Sequence, residues 1–132
     1  MTYLLDSNIC IYIINNSPKQ VVEHIKKLKV HQIKLSSISL AELEYGVSKS
    51  KNREKNRNAL INFASAFDIV DFNDSDAEVY GFLRAELERK GQVIGPYDMQ
   101  IAAQALTRDL ILVTNNTIEF ARIPNLKLEN WV

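Results

Sequence analysis

Apolar residues along the chain fall into four short runs separated by longer stretches with helical spacing. Tyr3-Leu4-Leu5, Ile33-Lys34-Leu35-Ser36, Ile69-Val70-Asp71-Phe72 and Leu110-Ile111-Leu112-Val113 have strand length and predict four strands, the last the most apolar. A small fifth strand is expected near Leu126–Leu128. Ser7 is placed to cap a helix from Asn8 to about Asn15. Ser17-Pro18 restarts a helix whose apolar positions are Val21, Val22, Ile25 and Leu28. Ser39 with Glu42, and Ser75 with Glu78, have capping-box spacing and predict two further helix starts, the second helix ending near Gly91. Residues 54–67 carry Leu60, Ile61, Ala64 and Phe67 at helical spacing, and Pro96 opens a helix continued by Ile101, Ala102, Ala105 and Leu106. A short turn or helix follows around Glu119-Phe120.

Strands alternating with helices predict a three-layer α/β/α fold around a parallel sheet of four to five strands, with runs such as Leu110–Val113 covered on both faces. With 132 residues, 46% apolar and 24% charged, the chain has the size and composition of a single globular domain, 1–132. The single cysteine, Cys10, excludes an internal disulfide and a cysteine zinc cage and is expected as a small buried hydrophobe. Neither His24 nor His31 has zinc-ligand spacing. No run approaches the roughly 18 apolar residues of a membrane span, and Asp6 interrupts the first apolar stretch, so a cytoplasmic protein without signal peptide or membrane contact is expected. Tyr45, Tyr80 and Phe82 are expected in the core rather than on a partner surface. Trp131 should anchor the C-terminus by packing, and Gly46 should permit close packing or a bend.

Charge changes this picture locally. The 16 Lys/Arg and 16 Asp/Glu cancel overall, but residues 1–60 hold ten basic against five acidic side chains and residues 61–132 hold six against eleven. The densest basic stretch is Lys49, Lys51, Arg53, Lys55 and Arg57, opposed only by Glu54. It reads either as a solvated connection between helices or as a phosphate-attracting patch.

The acidic residues carry the candidate chemistry. Asp6 follows the first strand, Glu42 lies early in the helix after the second, and Asp98 sits in the first turn of the helix opened by Pro96. Asn115 and Asn116 follow the fourth strand, with Glu119 one turn later. Open parallel sheets bind ligands at the carboxyl ends of their strands, and this topology would bring all of these groups to that edge. Each acid also has a local explanation: a helix cap for Asp6, a capping box for Glu42, the helix dipole for Asp98, solvation for Glu119. Together they need neutralising, because like charges about 4 Å apart cost roughly 4 kcal/mol per pair at an effective dielectric of 20. No lysine or arginine adjoins Asp6, Glu42 or Asp98 in sequence. Proton sharing or a hard divalent cation, Mg²⁺ or Mn²⁺, would answer the need. With no histidine or cysteine placed as nucleophile or base, metal-activated water is the available chemistry.

Four segments in order, Leu4-Leu5-Asp6-Ser7-Asn8-Ile9, Ser39-Leu40-Ala41-Glu42-Leu43-Glu44-Tyr45-Gly46, Ile94-Gly95-Pro96-Tyr97-Asp98-Met99-Gln100-Ile101-Ala102 and Val113-Thr114-Asn115-Asn116-Thr117-Ile118-Glu119-Phe120, resemble the PIN-domain family. Within it the chain is similar to the VapC-like toxin ribonucleases of type II toxin–antitoxin pairs, and the likeness extends to the terminal Leu128-Glu129-Asn130-Trp131. The resemblance implies an Mg²⁺-dependent endoribonuclease (Mn²⁺ also serving) that hydrolyses phosphodiesters of structured RNA such as tRNA, leaving a 5′-phosphate and a 3′-hydroxyl. Asp6 and Asp98 would be metal ligands, and Glu42 would complete the acidic cluster through water or by orienting the attacking water. Ser7, Asn8, Asn115 and Asn116 would be supporting polar groups. Asn116 occupies the place where many PIN domains carry a fourth acid, and Glu119 would substitute for it. The basic stretch from Lys49 to Arg57, with Lys26, Lys27 and Lys29, would hold the RNA backbone. A homodimer and a cognate antitoxin covering the cleft are implied, with operator DNA reached only through the antitoxin. Aspartyl-phosphate phosphohydrolases share the strand–Asp start but want a second aspartate where this chain has Asn8, and receiver domains want an acidic pair and a later lysine. A catalytically inactive scaffold that binds RNA or antitoxin is the remaining alternative, favoured by Asn116.

Overall fold

The apolar runs meet in one sheet. A computed structural model describes residues 1–132, in which β1 (Tyr3–Leu5), β2 (Ile33–Ser36), β3 (Asp68–Val70), β4 (Ile111–Val113) and β5 (Lys127–Glu129) lie in the order β3-β2-β1-β4-β5. Every neighbouring pair is parallel. The connections supply α1 (Ser7–Ile14), α2 (Lys19–Lys26), α3 (Ser37–Lys49), α4 (Arg53–Ala64), α5 (Asp74–Arg89), α6 (Pro96–Arg108) and α7 (Thr117–Phe120). A 3-10 turn at Val30–Gln32, which the apolar pattern gives no sign of, precedes β2.

Strand alternation divides the core between the two faces of the sheet. Tyr3 pairs with Ile33 and Ile111, and Leu5 with Leu35 and Val113. These six side chains pack with Ile9 and Cys10 of α1, Val21 of α2, Leu43 of α3 and Leu60 of α4. Leu4 and Leu112 turn the other way, onto Leu83 and Leu87 of α5, Ile101 and Ala102 of α6, and Phe120 of α7. The central strands are thus buried on both sides, as their continuous apolar runs require. Trp131 is buried in the first layer, stacked on His24 (5.3 Å between ring centroids) and edge-on to Tyr3 (5.7 Å), so it fastens the C-terminus as expected.

Three helix starts differ from the sequence reading. Of the two caps offered for α1, Asp6 takes the position, its Oδ1 accepting from the Ser7 amide at 2.8 Å, and Ser7 is the first helical residue. Ser36 caps α3 by accepting from the Ile38 amide at 3.0 Å, which leaves Ser39 buried inside the helix and Glu42 outside any capping box. The box of α5 joins Asn73 and Asp76, not Ser75 and Glu78: Asn73 Oδ1 accepts from the Asp76 amide (3.0 Å) and Asp76 Oδ2 from the Asn73 amide (2.9 Å). Pro96 does take the first helical position of α6, whereas Pro18 stands just ahead of α2. Tyr45 and Phe82 are exposed, at 66% and 70%, against the expectation of core positions, and Tyr80 is half-buried. Gly46 has no atom within 4 Å of where a Cβ would stand, so no close approach demands glycine there.

Two polar knots hold α6, one against α5 and one against the sheet. Arg108 at the end of α6 grips the fully buried Asp76 of α5 with both arms (Nη1–Oδ1 2.8 Å, Nη2–Oδ2 3.0 Å), and Thr107 donates to the same carboxylate at 2.6 Å. These bonds and the Arg108 charge hold Asp76 below the usual carboxylate range although burial opposes them. The fully buried Gln104 accepts from the Ser36 hydroxyl and donates to the Val70 carbonyl at 3.0 Å, joining α6 to the carboxyl ends of β2 and β3.

Candidate active site

The chain winds outward through β1, β2 and β3, then returns to lay β4 on the other side of β1. That reversal makes a topological switch point at the carboxyl ends of β1 and β4, the position at which doubly wound sheets bind ligands. Asp6 and Thr114 are the first residues beyond those two strands. The Asp6 amide donates to the Val113 carbonyl at 2.9 Å, continuing the ladder, and its buried carboxylate is held at both oxygens. Oδ1 accepts from the Ser7 amide, and Oδ2 accepts from the Thr114 hydroxyl at 2.8 Å. Thr114 Oγ1 in turn accepts from the Asn116 amide at 3.0 Å, so one hydroxyl fixes both the aspartate and the turn after β4.

The other acids approach from separate elements. Asp98 lies half-buried in the first turn of α6, where Pro96 lets the helix begin abruptly. Glu42 projects from α3 and is exposed; Glu119 is half-buried on α7 and accepts from Asn116 Nδ2 at 3.3 Å. The charges of the other three acids all reach Asp98. Burial, then the charges of Asp6, Glu42 and Glu119, push Asp98 up to about 6. Burial followed by the Asp6 charge raises Glu42, and burial raises Asp6 against the opposing Thr114 and Ser7 bonds. None of the four makes an ion pair. Ser7 Oγ is buried without a hydrogen bond of normal geometry, yet lies close enough to Glu42 to offset part of its upward shift.

These residues fit a hard divalent cation by their chemistry: oxygen donors only, excess negative charge, no cationic partner and an orphaned hydroxyl. No three of them converge into a closed cage. Mg²⁺ does not ask for one, because it keeps several waters and is held by one or two carboxylates. The thiol of Cys10, buried and facing the Asp6 charge, is pushed far above its ordinary range and cannot serve as a nucleophile.

Not every expected group joins this cluster. Asn8 is exposed, and Asn115 is engaged by the Tyr12 hydroxyl at 3.1 Å. Arg57 pairs with Glu44 at 2.6 Å. Lys51, Arg53 and Lys55 line an open polar recess of about 580 Å³ that shares no residue with the acids. Lys49 lies over the Tyr45 ring, 4.9 Å from its centroid. Lys26, Lys27 and Lys29 are exposed on and just after α2. Thr114 and Tyr12 are the partners that sequence reasoning passed over. A hydroxyl residue directly after an apolar strand was the available sign for Thr114.

The acidic cluster gives a stability prediction. Asp98 has a folded pKa above its unfolded value of about 3.9, so its ionisation opposes folding once pH rises from roughly 4 through 6. In the absence of divalent metal, Asp98→Asn is expected to stabilise the protein near neutral pH by about 1 kcal/mol after solvent screening, a few degrees in Tm. The gain should vanish below about pH 4. Thermal melts of both proteins in EDTA across that range measure it, and a flat difference contradicts the clustering.

Comparison with known proteins follows the same lines. The chain is 51% identical over 132 residues to Ribonuclease VapC2 of Rickettsia felis, covering 99% of this chain and 98% of that protein. It is 42% identical over 131 residues to the tRNA(fMet)-specific endonuclease VapC of Shigella flexneri, covering 99% and 98%. Among solved structures, VapBC2 from Rickettsia felis bound to a DNA fragment from its promoter superposes with a TM-score of 0.93 at 50% identity, over 100% of both chains. DNA-bound VapBC from Salmonella typhimurium gives 0.93 at 41% identity, over 100% of this chain and 99% of that one. The PIN domain itself is matched over residues 3–126, and the chain belongs to the PIN domain family.

Proposed function

We propose that Asp6, Glu42, Asp98 and Glu119 are the hydrolytic centre of this PIN-domain ribonuclease, the whole of 1–132 acting as one domain, with Mg²⁺ or Mn²⁺ held by Asp6 and Asp98. The reading is supported above all by four carboxylates, from four parts of the chain, three of whose charges act on Asp98 near the carboxyl end of the sheet without a cationic partner. A bound divalent cation supplies charge neutralisation at the phosphate and acidifies water. Asp6, clamped by Ser7 and Thr114, keeps one carboxylate in fixed orientation. Glu42, exposed and raised, is suited to accept the proton of the attacking water. Water oxygen bonds to phosphorus as its proton passes to Glu42, the bond to the 3′ oxygen breaks, and that oxygen takes a proton from solvent, leaving a 5′-phosphate and a 3′-hydroxyl. Asn116 orients Glu119 through its amide, so the position that lacks an acid still serves the cluster.

The named relatives support a toxin role: the protein is the ribonuclease half of a toxin–antitoxin pair, and the antitoxin, not this chain, meets promoter DNA. A structured RNA such as initiator tRNA is the substrate class, by likeness to the Shigella flexneri enzyme. The toxin works as a homodimer in the cytoplasm; no helix of the structure is long and apolar enough to cross a membrane.

Purified protein is expected to cut RNA in Mg²⁺ or Mn²⁺ and to stop on addition of EDTA, with activity restored by excess metal. Sequencing of the RNA ends after brief induction identifies the target. RNA binding without cleavage in either metal would instead favour the inactive scaffold.

A further inference from the structure

A second feature adjoins the acidic centre. A recess of about 360 Å³ is lined by Ile38, Ala41, Glu42, Tyr45 and Tyr97, and apart from Glu42 its walls carry no charge. Tyr45 and Tyr97 are 66% and 62% exposed, a large aromatic surface to leave in water. Their places in the chain are not independent of the acids: Tyr97 immediately precedes Asp98, and Tyr45 follows Glu42 by one turn of α3. Lys49 lies one further turn along and covers one face of Tyr45 at 4.9 Å from the ring centroid. Residues 42, 45 and 49 fall on one face of the helix, giving acid, aromatic and base in succession over about 10 Å.

The chemistry of the recess selects its occupant. Its acidic edge repels a phosphate, whereas a neutral heterocycle stacks on tyrosine without regard to charge. An aromatic recess that shares Glu42 with the place where RNA is cut is continuous with the path of the substrate. We infer that Tyr45 and Tyr97 form a stacking shelf that seats one unpaired nucleobase next to the scissile phosphate, with Lys49 meeting a neighbouring phosphate, and that this shelf sets which bond is cut. The inference rests on the acidic cluster being the hydrolytic centre. Specific recognition of RNA works on such splayed-out bases, which here requires the cut to fall in a loop, bulge or open strand.

The test uses the full chain, a pool of single-stranded RNA oligonucleotides in Mg²⁺, and sequencing of the cut ends. Tyr45→Leu and Tyr97→Leu are expected to raise KM about 5- to 150-fold per lost stack, with a smaller effect on kcat, and to flatten the base preference at one position flanking the cut. Tyr45→Phe and Tyr97→Phe should retain both KM and preference. Lys49→Gln, a surface change that cannot unfold the chain, should lower the salt-dependence slope of RNA binding by about 0.7. An unchanged KM and cut pattern in the double leucine variant, with Asp6→Asn inactive, overturns the shelf and leaves the centre standing. If Asp6→Asn cuts like the parent, the centre itself is misassigned. Leucine variants that change sedimentation or antitoxin binding while RNA preference stays the same would show a protein surface, either a second copy or the antitoxin, and also overturn the inference. Should the leucine variants fail to fold, the Lys49 variant decides, and a salt slope equal to the parent's overturns the inference.

Discussion

Asp6→Asn is expected to fold like the parent and to cut RNA roughly 10²- to 10⁴-fold more slowly in Mg²⁺, the loss of several kcal/mol of charge stabilisation. The fold survives because asparagine is itself a good helix cap and its Oδ1 can still accept from the Ser7 amide. Thr114 Oγ1 already accepts from the Asn116 amide and has a second lone pair for the new amide donor. The negative charge at the end of β1 disappears, and the Thr114 hydroxyl changes from donor to acceptor in this pair. Asp6→Ala would be a poorer test, since it also removes a cap worth about 1 kcal/mol and orphans Thr114. Single-turnover cleavage beside thermal melts separates chemistry from folding. A parent-like cleavage rate in well-folded Asp6→Asn would remove Asp6 from the mechanism.

Arg108→Met should produce the largest loss of stability, about 3–5 kcal/mol and upward of 10 °C in Tm. Methionine keeps the apolar stem but leaves the carboxylate of Asp76, fully buried, with only Thr107 and the Asn73 amide. The pH dependence identifies the cause. In the parent, Asp76 has a folded pKa below its unfolded value, so its stabilising contribution is present above about pH 4 and is lost as pH falls through the depressed value. In the variant, burial acts unopposed by a cation and raises the same group. The gap in Tm between the two proteins should therefore be wide at neutral pH and narrow towards pH 4, as denaturation followed by circular dichroism would record. A gap independent of pH would mean that lost packing, not an unpaired charge, is responsible.

The strands were legible because short apolar runs bounded by polar residues have few other uses, and Leu110–Val113 found its place at the centre of the sheet beside β1. The placement of the acids was legible because parallel topology brings residues just after each strand to one edge of the sheet, whatever the loops do. Helix starts were less so, since capping boxes overlap in sequence: Asn73 with Asp76 and Ser75 with Glu78 have the same spacing, and tertiary contact with Arg108 chose the first. Ser39 looked like a cap, but Ser36 comes where β2 ends and the helix must turn. Thr114 escaped notice because its partner, Asp6, lies 108 positions away. The faces of Tyr45 and Phe82 could not be read either. Residue type favours burial, while exposure depends on which side of a helix the core has already filled.

Gln104 is an amide embedded in an otherwise hydrocarbon stretch, Ile101–Ala105, and it has only two places to put its polar atoms. Sliding α6 by one residue, or rotating it by a quarter turn, would strand that amide among aliphatic carbons at a cost of several kcal/mol. The helix is therefore indexed against the sheet like a keyed shaft, and Asp98, six positions and about 9 Å earlier along the same axis, inherits the alignment. A remote, chemically inert side chain in this way determines where an acid at the carboxyl edge of the sheet can stand.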